Sequence, residues 1–182
     1  MAFLSIAEVR GLTETLERSR MAERVVKEAS ETTRDKLVFL SHQKRDKDLL
    51  SGIILFLGQF GASVYVAEDD EHLPANPSPA TAEVLKGRIV QCPRFVALIT
   101  ENSSVSKWIP WELGVADGKK GVAPVATLPV SSTAAEEAWA RQEYFGLYPR
   151  IYKDDRDQEW KVLDPRDGLA WGLHYWLHGS PT

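Results

Sequence analysis

Ser104-Val-Ser-Lys-Trp-Ile-Pro-Trp-Glu-Leu-Gly-Val-Ala-Asp117 stands between two apolar runs, Phe95-Val-Ala-Leu-Ile-Thr100 and Val122-Ala-Pro-Val-Ala-Thr-Leu128. Both runs are short and continuous, as strands buried on both faces are. Between them a serine-rich turn leads to a proline suited to a helix's first turn, and a helical segment follows. Trp108 and Glu112 are four apart, so on a helix they share one face. A carboxylate beside an indole, near the end of a strand, can hold a ribose and stack on a base. The competing reading is an exposed glutamate beside two packed tryptophans.

The same alternation extends upstream. Lys36-Leu-Val-Phe-Leu-Ser41 reads as a doubly buried strand, and Asp46 to Gly58 as a helix with the stripe Leu49, Leu50, Ile53, Ile54 and Leu57. Gly61-Ala-Ser-Val-Tyr-Val66 is a second strand after a glycine stop. Glu68 to Pro79 is an acidic, proline-containing loop, and Thr81 to Cys92 a helix. The order β-α-β-α-β-α-β with buried strands predicts a parallel sheet with helices on both faces. Ligands of such sheets bind at the strands' carboxyl ends, where the strand order reverses. Ser41 to Asp46, the acidic loop, Thr100 to Trp108 and the chain after Leu128 share that rim.

The two ends of the chain are patterned differently, which predicts three parts: a helical extension over 1–34, a core over 35–128, and an extension over 129–182 packed on that core. Residues 4 to 34 carry Leu4, Val9, Leu12, Leu16, Val25, Val26 and Ala29 at helical intervals, interrupted by Gly11. In the last third, Ser131 to Tyr144 reads as a helix, and Tyr148 to Tyr152 and Glu159 to Leu163 as short strands around the acidic turn Asp154 to Asp157. Asp164-Pro-Arg-Asp has the form of an N-cap and first turn opening a final helix, Leu169 to Leu177. No internal repeat is read.

Composition removes several classes of function. The net charge of −4 argues against general nucleic-acid affinity, which needs a basic face. A single cysteine, Cys92, excludes an internal disulfide and a cysteine-based zinc site, and suits a small buried thiol. No signal peptide is read at the N-terminus, and no apolar stretch approaches the roughly 20 residues that cross a bilayer, so a cytoplasmic protein without membrane contact is expected. Neither glycine-rich phosphate motif occurs. His174 and His178 are four apart but flanked by aromatics with no glutamate between them, so no metal site is expected. Asp69, Asp70 and Glu71 read as a solvated charge run. Ser41-His42 lacks the turn that presents a hydrolytic serine.

Taken together, the pieces are more specific. Phe39-Leu-Ser-His42 with Asp46 resembles the opening box of the Toll/interleukin-1 receptor (TIR) domain family. Ser106-Lys-Trp-Ile-Pro-Trp-Glu112 resembles the stretch of that family in which a tryptophan precedes a glutamate by four. Ala62-Ser-Val-Tyr-Val66 and the loop after it are similar to the family's second strand and mobile loop, although this loop is proline-rich and lacks the usual glycine. The resemblance covers about residues 36 to 128. The added tail is similar in kind to bacterial antiphage TIR proteins of the Thoeris type.

The resemblance implies a flavodoxin-like three-layer sandwich and cleavage of NAD+, the substrate, with no cofactor. Glu112 matches the catalytic glutamate that holds the nicotinamide ribose. Departure of the base leaves positive charge on the sugar, which a fixed carboxylate stabilises. Trp108 is then placed to stack on a ring. Phe39, Ser41, His42, Lys44 and Asp46 form the substrate rim at the first strand's end, with Lys44 or Arg45 facing a diphosphate. The product is linear ADP-ribose, a cyclised isomer or a conjugate, acting as an antiphage signal on a separate effector, with self-association through TIR surfaces. Trp111-Glu-Leu-Gly-Val-Ala-Asp with Lys120 and Val122 also resembles nucleoside 2-deoxyribosyltransferases, whose glutamate on this helix is a nucleophile. A third reading is a non-catalytic interaction module.

Overall fold

The computed structural model describes residues 1–14, 24, 26–30, 36–67, 78–131 and 146–179. Residues 68–77 of the expected loop Glu68 to Pro79 and residues 132–144 of the expected helix Ser131 to Tyr144 lie outside them, as does most of the N-terminal segment after residue 14. The first elements are a short strand β1 (Leu4–Ser5) and helix α1 (Ile6–Gly11), where Ser5 and Glu8 form a capping box. Then come β2 (Val38–Ser41), a single 3₁₀ turn (Lys44–Asp46), α2 (Lys47–Gly58), β3 (Val64–Tyr65) and α3 (Pro79–Gln91). β4 (Arg94–Ile99), a second 3₁₀ turn (Glu101–Val105), α4 (Trp108–Lys120) and β5 (Val125–Ser131) complete the alternating part.

Strands β3-β2-β4-β5-β6 lie side by side in parallel, β6 being Arg150–Lys153. This is the flavodoxin-like order, reversing direction at β2. Each strand divides its side chains between two cores by alternation. Val38, Leu40, Val96, Leu98, Ala126 and Leu128 face α1, α2 and the C-terminal helix. Phe39, Phe95, Ala97, Ile99 and Val125 face α3 and α4. The sheet is therefore the middle of three layers, as the continuous apolar runs require. On the first face α1 lies directly on α2. A Cβ at Gly52 would stand 2.4 Å from the Val9 carbonyl oxygen, so only glycine permits that approach.

The sheet continues beyond β6 as an antiparallel meander, β7 (Trp160–Leu163) and β8 (Ala170–Gly172), followed by helix α5 (Leu173–His178). β1 adds to the carboxyl end of β5 through Leu4 opposite Val130. The final helix is shorter than its sequence pattern predicts, because Asp164-Pro-Arg-Asp closes a hairpin instead of capping a helix. The Asp164 carboxylate accepts the Arg166 backbone N–H at 2.9 Å, and the Asp164 N–H reaches the Leu169 carbonyl at 2.9 Å. Gly168, at φ 74°, turns the chain back.

The preceding hairpin repeats this construction ten residues earlier. Asp154 accepts the Arg156 N–H, the Asp154 N–H reaches the Glu159 carbonyl, and Gln158 takes φ 61°. A short repeat, Asp-x-Arg-Asp, therefore exists where none was expected. Asn and Asp favour such turns because their side chains hydrogen-bond backbone two residues on.

Candidate active site

Glu112 occupies a place in α4 where a hydrophobe is the rule. Ile109, Glu112, Leu113 and Ala116 make the helix's buried stripe, at spacings of three and four. The strands beneath explain how a carboxyl fits there. Ser41 lies opposite Ala97 on β4, and Ala97 opposite Thr127 on β5. Alternation points all three residues at α4, so a row of small side chains leaves room against the sheet. One row below, Tyr65, Phe39 and Phe95 sit on adjacent strands, with ring centroids 5.4 and 5.5 Å apart. This aromatic row floors the space under Glu112.

The Ser41 hydroxyl donates to Glu112 Oε2. The two residues come from β2 and from the helix after β4, on either side of the point where the strand order reverses. Glu112 is 6% exposed. Burial pushes its carboxyl up to about 7, while the Ser41 hydrogen bond and the charge of His42 act in the opposite direction. A carboxyl poised near neutrality at a sheet's carboxyl rim is equipped for proton transfer and for stabilising developing positive charge.

The other expected site residues divide by position. His42 is half-buried beside Ser41, and Lys44 is exposed in the 3₁₀ turn that follows, its N–H bonded to Gln43 Oε1 at 2.7 Å. Trp108, half-buried, meets Trp111 edge to face at 5.4 Å, one helical turn before Glu112. Phe39 is wholly buried in the aromatic row, and alternation puts Ser41 between it and the rim. Asp46 is 2% exposed, and its oxygens accept from Thr100 Oγ1 at 2.8 Å and Asn102 Nδ2 at 2.6 Å. Thr100 and Asn102 were not singled out in the sequence. The short polar run before α4 was their only signal.

Away from this rim, a cleft of about 490 Å³ opens at the strands' amino ends, lined in part by Lys36, Ile54, Gly58 and Ser63. It contains none of the expected site residues. His174 and His178 each bring a ring nitrogen to 3.0 Å from the Phe60 carbonyl, fastening α5 to the end of α2. No group of three or more potential metal-ligating side chains occurs among the described residues. Cys92 is buried, and burial pushes its thiol up to about 12, so it holds its proton. No helix among the described residues is long and apolar enough to cross a membrane.

No family model matches the chain. A protein of Bacillus cereus (strain MSX-D12), named "Probable 3' cyclic ADP-D-ribose synthase ThsB'", is 39% identical to it over 118 residues. The match covers 64% of this chain and 60% of that protein, less than two thirds of either.

Proposed function

We propose that this chain is a TIR-type enzyme of the Thoeris kind that cleaves the nicotinamide–ribose bond of NAD+ and forms a cyclic ADP-ribose isomer. The carrying observation is the Glu112 carboxyl, buried in an otherwise apolar helix stripe at the switch point of the sheet and bonded to Ser41. The similarity to a protein named as a cyclic ADP-ribose synthase supports the same reading.

In this reading the bond between the anomeric carbon and the nicotinamide nitrogen breaks, and its electron pair leaves with neutral nicotinamide. Positive charge spreads over the ribose ring oxygen and anomeric carbon. The Glu112 carboxylate, in surroundings that screen it poorly, stabilises that charge and holds a ribose hydroxyl. Trp108 supplies an aromatic face at the rim, while His42 and Lys44 supply polar and cationic groups for the diphosphate. Closure follows when a nucleophilic atom elsewhere in the same ADP-ribose attacks the anomeric carbon and any proton it carries is lost. Water in its place gives linear ADP-ribose and a nucleosidase. The cationic pyridinium favours the ionised carboxyl, so binding draws Glu112 toward the form that the reaction needs. Self-association that completes the site, a separate effector sensing the product and a cytoplasmic location belong to the same proposal.

The test is incubation of the purified protein with NAD+, alone and at high concentration, followed by chromatography and mass spectrometry. Nicotinamide release with a cyclic product is the expected result. Base exchange between deoxynucleosides without NAD+ turnover would instead establish the deoxyribosyltransferase reading. Undiminished turnover in Glu112→Gln would remove this carboxyl from the mechanism.

A further inference from the structure

Asp46 stands at the N-cap of α2, where an aspartate ordinarily accepts hydrogen bonds from the helix's own first N–H groups. Here its side chain makes no such bond. Its two oxygens turn instead to the Thr100 hydroxyl and the Asn102 amide, at 2.8 and 2.6 Å, across 54 and 56 residues of sequence. The two turns so joined lead to the two halves of the site. The turn that ends at Asp46 starts from Ser41, and the turn holding Thr100 and Asn102 leads into α4.

We propose that Asp46 is a positioning residue, whose carboxylate locks the turn after β2 to the turn after β4 and thereby sets where α4 presents Trp108 and Glu112. The lock has few ways to slip. Thr100 Oγ1 also accepts the Asn102 N–H at 3.1 Å, and the Thr100 N–H donates to Ser103 Oγ at 2.9 Å, whose hydroxyl in turn reaches the Leu98 carbonyl. Ser106 Oγ then accepts the Ile109 N–H at 3.2 Å and carries the chain into the helix. A displacement of Asp46 is thus passed through short hydrogen-bonded steps to the first turn of α4. Asp46 touches no substrate in this scheme. It acts through Thr100 and Asn102.

The proposal rests on the NAD+-cleaving reading for its kinetic readout, and a second readout is independent of it. Asp46→Asn keeps the shape but replaces one of the two acceptors by an NH2 donor, so that the Thr100 hydroxyl and the Asn102 amide can no longer both be accepted. It is expected to lower kcat by about tenfold to a hundredfold, the scale on which small misplacements act, with KM within about twofold. The pH midpoint, set by Glu112 with Ser41 and His42 facing it, stays unchanged. The indole N–H resonances of Trp108 and Trp111 shift. Exchanging the partners, in the double variant Asp46→Asn with Asn102→Asp, restores a carboxylate–amide pair across the same two turns. Recovery of both kcat and the indole resonances is the expected result. Wild-type kcat and resonances in Asp46→Asn, or a folded double variant that recovers neither, overturns the proposal. Should the double variant not fold, Asn102→Ala decides: a severalfold fall in kcat supports the lock and a wild-type value refutes it. If the wild-type protein leaves NAD+ intact, the functional reading fails, and the indole resonances alone decide about Asp46 by the same criteria.

Discussion

Two sets of acidic side chains, one in the site and one in the C-terminal meander, are treated in opposite ways by the fold. Asp154 and Asp164 each accept a backbone N–H two residues on and face a cation, Lys161 and Arg166 respectively. Those hydrogen bonds hold both carboxyls below the usual carboxylate range. Glu112 has a serine hydroxyl and an apolar helix face around it, and burial raises its carboxyl to about 7. The first kind of site spends a carboxylate on shaping a turn. The second keeps a carboxyl in poor solvation, where it is costly to folding and available for chemistry.

That contrast breaks most visibly at Glu112. The Gln variant is expected to lose nicotinamide release by a factor on the order of 10² to 10³ or more, measured by chromatography, while keeping its circular dichroism. It should also be more stable than wild type at high pH. Burial pushes the native carboxyl from its ordinary 4.5 up to about 7, so the folded state binds the extra proton between those values. Wild-type stability from this group is fully present below about 4.5 and is lost as pH rises through about 7, by about 3 kcal/mol. The Tm advantage of Glu112→Gln is therefore expected at pH 8 and should shrink at pH 4. An equal advantage at both would mean that Glu112 is not held in its protonated form. The catalytic form is the carboxylate, so kcat/KM should rise with pH through about 7. In Ser41→Ala the rise should move to higher pH, since the lost hydrogen bond favours the ionised form.

In the meander the signs reverse. Asp164→Ala should cost about 1–3 kcal/mol by chemical denaturation, because it removes the buried carboxylate that accepts from the Arg166 backbone N–H and guanidinium and so shapes the turn, and it should leave NAD+ cleavage intact. Its cost should fall as pH drops, because a lowered carboxyl contributes stability above its unfolded value and loses it on protonation. A smaller effect tests the repeat itself. Gln158 holds the left-handed conformation that Gly168 holds in the second hairpin, so Gln158→Gly should stabilise by up to about 1 kcal/mol. Gly168→Ala should destabilise by a similar amount. Unequal effects on the two hairpins would show that they are not equivalent.

Several elements were legible without coordinates because their cause is local. The apolar runs around Phe39, Phe95 and Val125 announce doubly buried strands, and the carboxyl rim follows from their order. Glu112 could have been read as buried from Ile109, Leu113 and Ala116 around it. Other features were open to two local readings. Asp164-Pro has the same chemistry at a helix start and in a hairpin, and only pairing between β7 and β8 decides. Phe39 and Ser41 look equally close to the rim until alternation and register separate floor from surface. Asp46 looks like a cap or a ligand until its partners across the sheet are seen.

The alternation of apolar runs and helical stripes determined by itself the layered α/β architecture and the rim on which a site would lie, because burial of a strand or a helix face follows from spacings of two and of three to four residues. Tertiary structure alone decided that residue 112 meets Ser41 across 71 residues, that Phe39 belongs to the floor and that Asp46 joins two turns. The reason is solvation. A carboxyl's ionisation and partners depend on what the folded chain packs around it, and no spacing in the sequence records that.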